Sequence, residues 1–475
     1  MAKTFFFYDL ETSGLSPQEA RVMQFAGIRT DMDLQPIGEP INVLVKLNDD
    51  VLPSPEALMV TNITPQQTQA DGYKESDFAR MLSEEVFLPD TITVGFNNIR
   101  FDDEFIRHLF WRNFYDPYEW SWKDGRSRWD LLDVVRMTRA LRPDGIGWPV
   151  DAKGMATNRL ELLSRVNHLD HFKAHDALSD VEALIGVTKL IRQQQPQLYE
   201  YLLQLRDKKA VKKLVNLDNK QPFVYVSGRL DTQFNKATVA FPLTAGKNGN
   251  VVVYDLRVDP TPFLQLSQAD LAKKLYAPWD ERSQAGFQKL PVSEMQYNRA
   301  PAVAPLGVLA QGDGWKNIKL SQDIIAKHRK ILLSSPGFAE NIRTVFENKQ
   351  DYENSPDPEA QLYDGFVPDV DKLRIEKVRG AGERELADFH PSFNDDRLPP
   401  LLLHYKARNF PGSLAEDEAI AWEKWRSARI TAGLPGFMKS LKSLNSSITD
   451  DDKRFVLQEM QLWAESVLPV DLDNQ

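Results

Sequence analysis

Residues Thr4–Gly14 have the sequence TFFFYDLETSG, an aromatic run followed by two acidic residues and a glycine. An aromatic, β-favouring run that ends at a glycine is typical of a buried strand. Because side chains alternate between the two faces of a strand, Asp9 and Glu11 point the same way. Two neighbouring carboxylates at the end of an apolar strand repel each other and lose water, and a divalent cation compensates for both effects. The alternative is an edge strand whose polar end is simply solvated.

The length and composition around this stretch set the broad class of protein. A chain of 475 residues is too long for one hydrophobic core and predicts about three domains. The apolar and charged fractions, 42% and 27%, are those of an ordinary globular protein. No run approaches the ~20 apolar residues of a membrane span, and the first residues lack a signal-peptide cleavage site. The chain has no cysteine, which excludes disulfides and thiolate metal sites, so we expect a cytoplasmic protein without membrane contact.

The distribution of charge says more about partners than its sum. The formal net charge of −10 argues against a uniformly basic, nucleic-acid-binding surface. Residues 100–142, however, carry a cluster of arginines, and residues 100–148 carry half of the ten tryptophans. Stacking of an aromatic ring on a base contributes about 1–3 kcal/mol to the free energy of binding, and arginines bind phosphates. This pattern predicts a single-stranded nucleic-acid groove, although we expect at least half of these tryptophans to lie in the core.

Three further residues could join the carboxylates of the first strand. Asp102 follows a short apolar run at 91–96 and an asparagine turn, at the start of an expected helix. Asp180 lies in the first turns of another expected helix, and His175 comes just before it. Acids at helix starts suit the helix dipole, and a lone histidine there is usually a polar surface residue. The alternative is that both acids join Asp9 and Glu11 in one site.

The spacing of these residues carries a family resemblance. Asp9-Leu10-Glu11-Thr12 with Gly14 resembles the first motif of the DEDD 3′→5′ exonucleases of the ribonuclease H-like fold. Asn98-x-x-x-Asp102 resembles the second motif, and His175-x-x-x-x-Asp180 the third in its histidine-bearing form. Longer stretches are similar to bacterial exodeoxyribonuclease I in particular, at residues 95–122, 127–149, 158–165 and 406–414.

Phosphodiester hydrolysis explains why these residue types occur together. Two Mg²⁺ ions about 3.5–4 Å apart can activate a water molecule and stabilise the departing 3′-oxyanion. Hard cations prefer oxygen ligands, and Mn²⁺ can substitute for Mg²⁺. We therefore assign the metal ligands as Asp9, Glu11, Asp102 and Asp180. His175 is assigned as the base that takes the proton from the attacking water, because its unperturbed pKa lies near neutral pH.

The resemblance also implies contacts to substrate and partner. The residues implied to contact the strand are Arg107, Tyr118, Trp122 and Arg136. Arg159 is implied to bind near the terminal nucleotide, where Glu11 meets the terminal sugar. The family further implies a partner, the acidic C-terminal tail of single-stranded DNA-binding protein. In the sequence itself, the candidates for binding that tail are basic: Arg142 and the lysines of residues 208–213. A solvated helix face is the simpler explanation for this run of lysines.

The chain beyond the first motifs is expected to form two more domains. We predict an α/β ribonuclease H-like domain with a mixed sheet over residues 1–195. Strand-like runs from residue 222 onward predict a β-rich domain at 196–350, which the resemblance makes SH3-like. Helical periodicity at 416–430 and 450–467 predicts a helical domain at 354–475. These added domains are expected to wrap the strand and give processivity, which deletion of 354–475 would test, and such a clamp can work as a monomer.

These expectations converge on one enzyme activity. The chain is predicted to degrade single-stranded DNA processively from the 3′ end to 5′-mononucleotides, in DNA repair and recombination. One alternative is a 3′→5′ exonuclease that acts on RNA or proofreads for a polymerase, because the motifs encode the chemistry and not the sugar. The other is a non-catalytic single-strand-binding protein, which the complete set of acids with His175 disfavours.

Overall fold

The computed structural model describes residues 2–169, 176–349 and 355–469, and the chain forms two compact units. The first unit contains Met1–Ser127, Phe172–Glu182 and Glu353–Gln475. The second contains Arg128–His171 and Ala183–Tyr352. Within the described residues, no helix is long and apolar enough to cross a membrane.

A five-stranded mixed sheet organises the N-terminal part of the chain. Its strands are β1 (Thr4–Thr12), β2 (Val22–Thr30), β3 (Ile41–Leu44), β4 (Thr91–Gly95) and β5 (Ser127–Asp130), in the order β3-β2-β1-β4-β5. β1 runs antiparallel to β2 and parallel to β4. It is therefore a central strand, and the edge-strand alternative is wrong. Its aromatic run is buried on both faces, with Phe5 and Phe7 at 0% exposure and Phe6 at 2%.

Four helices accompany this sheet in the first unit. They are α1 (Pro55–Thr61), α2 (Pro65–Asp71), α3 (Glu75–Met81) and α4 (Asp102–Arg112). α1 and α2 were not predicted, although Ser54 and Thr64 cap them through side-chain oxygens and a proline follows each cap. α3 and α4 bury Phe78, Phe105 and Leu109 against the aromatic face of β1 and β2. This packing fixes α4 beside the end of β1.

The second unit combines helices with a second sheet. Its helices are α5 (Leu131–Leu141), α6 (Leu160–Val166), α7 (Ala177–Gln194, which begins in the first unit), α8 (Pro196–Gln204), α9 (Lys208–Leu214), α10 (Gln268–Tyr276), α11 (Trp279–Arg282), α12 (Gly314–Asn317), α13 (Gln322–Leu333) and α14 (Pro336–Glu347). Its strands are β6 (Phe223–Val226), β7 (Ala237–Ala245), β8 (Val251–Asp255), β9 (Val292–Met295) and β10 (Val303–Pro305). They pair antiparallel in the order β10-β6-β7-β8-β9, which confirms the β-rich domain.

The C-terminal segment returns to the first unit as helices. These are α15 (Asp369–Gly380), α16 (Glu383–Ala387), α17 (Leu398–Asn409), α18 (Glu416–Ser447) and α19 (Asp451–Val467). α18 continues through Pro435, whereas the sequence predicted an end near Ile430. Phe437 and Leu441 beyond the proline are buried in a cluster with Leu58 of α1. Tertiary packing therefore outweighs the local glycine and proline signal.

Buried ion pairs join the C-terminal segment to the N-terminal one. Arg21 lies 2.7 Å from Glu359, and Arg408 lies 2.8 Å from Asp50. Arg408 also pairs with Glu359. We call the residues Arg21, Asp50, Glu359 and Arg408 the ionic core of the first unit. Each of their side chains is no more than 3% exposed, so each charge depends on its partners for compensation.

Candidate active site

Three of the four predicted metal ligands converge at the end of β1. Asp9 and Glu11 lie on the same face of the strand, and Asp180 lies in the first turn of α7. One carboxylate oxygen from each of the three lies within 4.8 Å of the other two. Glu11 is only 9% exposed. Residues far apart along the chain thus present oxygen atoms to a single point.

Asp102 stands beside this group and acts on it electrostatically. It is 4% exposed, and it belongs to the first turn of α4. Burial raises the pKa of Asp9 well above its usual range, and the neighbouring Asp102, Glu11 and Asp180 raise it further. Burial, followed by Asp180 and Asp102, raises the pKa of Glu11 to about 8. These shifts mean that the carboxylates oppose one another's ionisation in the absence of a cation.

The donor set fits a hard divalent metal ion. It consists of carboxylate oxygens that are partly or largely buried and close enough together to bind the same metal ion. A cation would relieve the mutual repulsion that raises the pKa of Asp9 and Glu11. Mg²⁺ and Mn²⁺ take ligands of this chemistry.

A tight turn between β4 and α4 determines the position of Asp102. β4 ends at Gly95, Asn97 adopts a left-handed conformation with φ of 72°, and a 3-10 turn covers Asn98–Arg100. A Cβ atom at Gly95 would lie 2.5 Å from the Cβ of Asn98, so only glycine fits there. The predicted order of strand, asparagine turn and helix is confirmed.

The predicted base, His175, lies outside the described residues. The described chain resumes at Asp176, whose carboxylate accepts hydrogen bonds from the Ser179 amide at 3.3 Å and hydroxyl at 3.0 Å. This capping fixes the start of α7 and so the position of Asp180. The role of His175 stays a prediction.

An arginine and three aromatic rings lie close together in the first unit. Arg107 of α4 pairs with Glu104 at 2.9 Å, and its guanidinium lies 5.6 Å from the ring centre of Tyr118. Tyr363 and Phe366 of the C-terminal segment lie 6.4 and 5.9 Å from the Tyr118 ring. We call Tyr118, Tyr363 and Phe366 the aromatic patch. Phe366 is 85% exposed, which suits a surface that stacks on another flat group.

Sequence reasoning did not single out Tyr363 or Phe366. Arg107 donates to the Tyr363 hydroxyl at 3.3 Å, across 256 residues of chain. No local motif marks these residues, because their position beside Tyr118 is a consequence of the C-terminal segment packing against α4.

The predicted tryptophan assignments can be compared directly with burial. Trp111, Trp120 and Trp129 are at most 4% exposed, and the expectation that at least half of the five belong to the core is confirmed. Trp122 is 62% exposed and remains a candidate contact.

Two predicted contacts belong to the second unit. Arg136 of α5 forms an ion pair with Asp133 at 2.7 Å. The backbone at Gly228 lies so close to the Arg136 guanidinium that a Cβ atom at Gly228 would be 2.9 Å from Nη2 of Arg136. Arg159 precedes α6 with its side chain 74% exposed, 3.7 Å from Glu161. Arg136 is thus rigidly held, whereas Arg159 is free to reorient.

A second cluster of possible metal ligands has a different explanation. Asp357, Glu359 and His404 also lie close enough to share a cation. Glu359 already pairs with Arg21 and Arg408, and Arg429 lies 2.9 Å from Asp357. Because these arginines supply the positive charge that the carboxylates need, the cluster belongs to the ionic core and its surroundings.

The fold and the acidic cluster define a metal-dependent exonuclease of the ribonuclease H-like class. Residues 6–188 match the family model described as "Exonuclease". Residues 206–348 match "Exonuclease I SH3-like domain", and residues 356–467 match "Exonuclease I C-terminal domain".

Curated relatives and solved structures agree with these matches. Exodeoxyribonuclease I of Haemophilus influenzae is 37% identical over 456 residues, which cover 96% of each chain. Escherichia coli exonuclease I in complex with a dA16 oligonucleotide superposes with a TM-score of 0.94 at 36% identity, covering 98% of this chain and 100% of that one. The zinc-bound form of the E. coli exonuclease I–single-stranded DNA complex gives a TM-score of 0.94 at 35% identity with the same coverage. The chain belongs to the exodeoxyribonuclease I family.

Proposed function

We propose that this chain removes 5′-mononucleotides processively from the 3′ end of single-stranded DNA, with Asp9, Glu11, Asp102 and Asp180 as the metal-binding residues. The observation that carries this proposal is the convergence of Asp9, Glu11 and Asp180 on one point. Relatives of this family are named for action on DNA, and one is solved with a DNA oligonucleotide. We further propose a role in DNA repair and recombination, in the cytoplasm.

The side chains divide the work of hydrolysis. Two bound Mg²⁺ ions, or Mn²⁺ in their place, would activate the attacking water and stabilise the departing 3′-oxyanion. The four carboxylates would hold these ions at the end of β1, and Glu11 would also contact the terminal sugar. His175 receives the proton of the attacking water. Arg159 binds near the terminal nucleotide.

The strand upstream of the cleaved bond needs sequence-independent contacts. Arg107 and Arg136 are proposed to hold phosphates, because guanidinium groups bind them with charge and directed donors. Tyr118 and Trp122 are proposed to stack on bases. Tyr363 and Phe366 extend the surface around Tyr118, so the aromatic patch supports stacking in this region.

A digestion experiment tests the activity. Single-stranded DNA labelled throughout at its phosphates, incubated with Mg²⁺, should release labelled mononucleotides while strands not yet bound stay at full length, whereas EDTA should stop the reaction. Single-stranded RNA of the same sequence and a mismatched primer terminus test the RNA-directed and proofreading alternatives. Binding of DNA without any product in Mg²⁺ would instead support a non-catalytic strand-binding protein and reject the proposal.

Variants test the residue assignments. Asp180→Ala and His175→Ala should each abolish turnover while leaving folding and DNA binding largely intact. Asp77→Asn is the matched control, because Asp77 forms an exposed surface pair with Arg80. Near-normal cleavage by either site variant would refute the assignment of that residue.

We also propose that the acidic C-terminal tail of single-stranded DNA-binding protein docks on the second unit. Arg142 is one candidate, and its guanidinium donates to Gln311 at 2.8 Å. The lysines of α9 are the other. Fluorescence anisotropy of a labelled acidic tail peptide measures its binding. The peptide should bind the Arg142→Ala variant more weakly than the unmodified chain, and equal binding would reject Arg142 as the docking residue. Sedimentation of the chain alone tests the proposed monomer.

A further inference from the structure

The residues next to two proposed metal ligands are joined by a buried hydrogen bond. Tyr8 precedes Asp9, and Asp103 follows Asp102. The hydroxyl of Tyr8 donates to the carboxylate of Asp103 across 95 residues of chain. Tyr8 is 1% exposed and Asp103 is 0% exposed. A carboxylate this deeply buried has to be satisfied within the protein.

Strand geometry separates this bond from the metal site while keeping it close. Because side chains alternate along β1, Tyr8 points to the face opposite Asp9. There its ring packs with Phe25, with ring centres 6.2 Å apart, inside the main hydrophobic cluster. The ring has little freedom to move, so its hydroxyl is a fixed point from which Asp103 is held.

Asn98 donates a second hydrogen bond to the same carboxylate. Its side-chain amide donates to Asp103 at 3.3 Å, and Asn98 is itself 0% exposed. Asn98 starts the 3-10 turn that connects β4 to α4. Asp103 therefore ties together β1, the turn and the first turn of α4, which are the elements that carry Asp9 and Asp102.

We propose that Tyr8 and Asp103 are positioning residues that set the separation of Asp9 and Asp102 before metal binds. This inference rests on the proposed function. Asp9 and Asp102 belong to different elements, β1 and α4, so their separation depends on the contacts that join those elements. The hydrogen bond between their immediate neighbours is such a contact, on the apolar side of the strand. The cation then meets ligands already in place, and less of its binding energy is spent on bringing β1 and α4 together.

Tyr8→Phe removes one oxygen atom and leaves the ring packing unchanged. We expect the half-saturating Mg²⁺ or Mn²⁺ concentration to rise by up to about 10-fold, the lower end of the range for a residue that hydrogen-bonds a metal ligand directly, because Tyr8 acts through the neighbour of a ligand. We expect kcat at saturating metal to fall, and KM for single-stranded DNA to stay within about twofold. The KM–kcat split and the metal titration are readouts that a merely structural contact would not move once the variant is folded.

Two further variants keep the test decisive. Tyr199→Phe is the matched control, because Tyr199 is also buried and its hydroxyl has no partner among the residues the structure describes. It should match the unmodified enzyme. Asp103→Asn keeps the shape and an acceptor oxygen but weakens the bond, since a neutral amide accepts less strongly than a carboxylate. It should raise the half-saturating metal concentration by at least about threefold, and it replaces Tyr8→Phe if that variant does not fold.

The outcome separates this inference from the proposed function. If Tyr8→Phe and Asp103→Asn both show metal half-saturation and kcat within about twofold of the unmodified enzyme, the positioning role is wrong although the nuclease activity stands. If the unmodified enzyme shows no metal-dependent cleavage, the proposed function itself fails.

Discussion

Arg107 shows how much a single side chain can depend on distant parts of the chain. It lies one turn and a half along α4 from Asp102, and it contacts Glu104, Tyr118 and the Tyr363 hydroxyl. An arginine held between a carboxylate and two tyrosines keeps a fixed direction. Such an arginine can bind a phosphate without losing further side-chain entropy.

Replacement of Arg107 by glutamine should weaken single-strand binding and reduce its salt dependence. Because one phosphate contact releases about 0.7 counterions from a single strand, the slope of log K against log salt should fall by about 0.7. Fluorescence anisotropy of an oligonucleotide over a salt series measures both quantities. Arg80→Gln is the control, since Arg80 is 60% exposed and pairs only with the nearby Asp77 among the contacts described. An unchanged slope for Arg107→Gln would reject its phosphate role.

His108, on the same helix, makes the stability of the fold depend on pH. It is 2% exposed, its Nδ1 lies 2.9 Å from the Glu104 carbonyl oxygen, and burial lowers the pKa of His108 to about 4. The unfolded chain takes up this proton near pH 6.5 and the folded chain does so only near pH 4. Stability that is present above pH 6.5 is therefore lost as the pH falls toward 4, by about 3 kcal/mol in total.

His108→Gln should remove this loss. Urea unfolding at pH 7 and at pH 4.5 measures the free energy of unfolding for both proteins, and the difference between them cancels the titration of other groups. We expect the variant to lose less stability on acidification than the unmodified chain. Parallel pH profiles for the two proteins would contradict the assignment.

Placement could be predicted from the sequence for residues that are neighbours along one strand. Asp9 and Glu11 share a strand face, and a strand period of two is enough to place them together. Asp180 could be expected beside them only through the spacing of its motif. Tyr363 could not be found, because no property of its own segment distinguishes it from an ordinary surface tyrosine.

At the scale of elements, close packing between neighbouring strands sets the geometry of the site. Gly27 of β2 lies opposite Tyr8 of β1. A Cβ atom at Gly27 would lie 2.4 Å from the nearest ring atom of Phe6, which is itself 2% exposed. The ring cannot move away from the added methyl group without disturbing the core that supports β1.

Gly27→Ala should therefore destabilise the first unit by about 1–3 kcal/mol, the usual cost of overpacking a core. Gly436→Ala is the matched control in the same unit. Gly436 lies inside α18, and a Cβ atom there meets nothing within 4 Å. That substitution should stabilise the unit by about 0.5–1 kcal/mol, because alanine favours the helix over glycine. Denaturant unfolding of both variants checks the opposite signs, and equal effects would contradict this account.

The type of most elements was predictable, but several boundaries were not. The aromatic run of β1 and the alternation of the later strands gave the correct classes. Helical periodicity predicted α18 only as far as residue 430, and a proline such as Pro435 normally interrupts a helix because it removes a backbone donor. The buried contacts of Phe437 and Leu441 decide otherwise, and such long-range contacts are not visible in a local window.

At the scale of the whole chain, the first unit is built from both ends of the sequence. The ionic core places Arg21 and Asp50 against Glu359 and Arg408, all of them buried. The domain boundaries at 195 and 354 remain a prediction. The deletion of 354–475 is a poor test of processivity, because it would remove Glu359 and Arg408 from the buried ion pairs of Arg21 and Asp50 and expose the packed face of α1.

A point variant examines the ionic core more cleanly. Glu359→Gln removes one charge and leaves Arg21 and Arg408 partly uncompensated in a buried site. We expect a loss of about 3–5 kcal/mol in the free energy of unfolding of the first unit. Asp77→Asn, which breaks an exposed pair with Arg80, should cost no more than about 1 kcal/mol. Similar losses for the two variants would show that the ionic core is not what holds the segments together.

The ionic core also governs when the protein can become active during its synthesis. The N-terminal acids leave the ribosome early, but the partners of Arg21 and Asp50 follow more than three hundred residues later. At ordinary translation rates, that gap lasts on the order of 20 to 70 s. Until Glu359 and Arg408 have been synthesised, Arg21 and Asp50 have only each other among the members of the ionic core, and the first unit lacks its C-terminal helices. The folded exonuclease therefore forms only after those helices leave the ribosome.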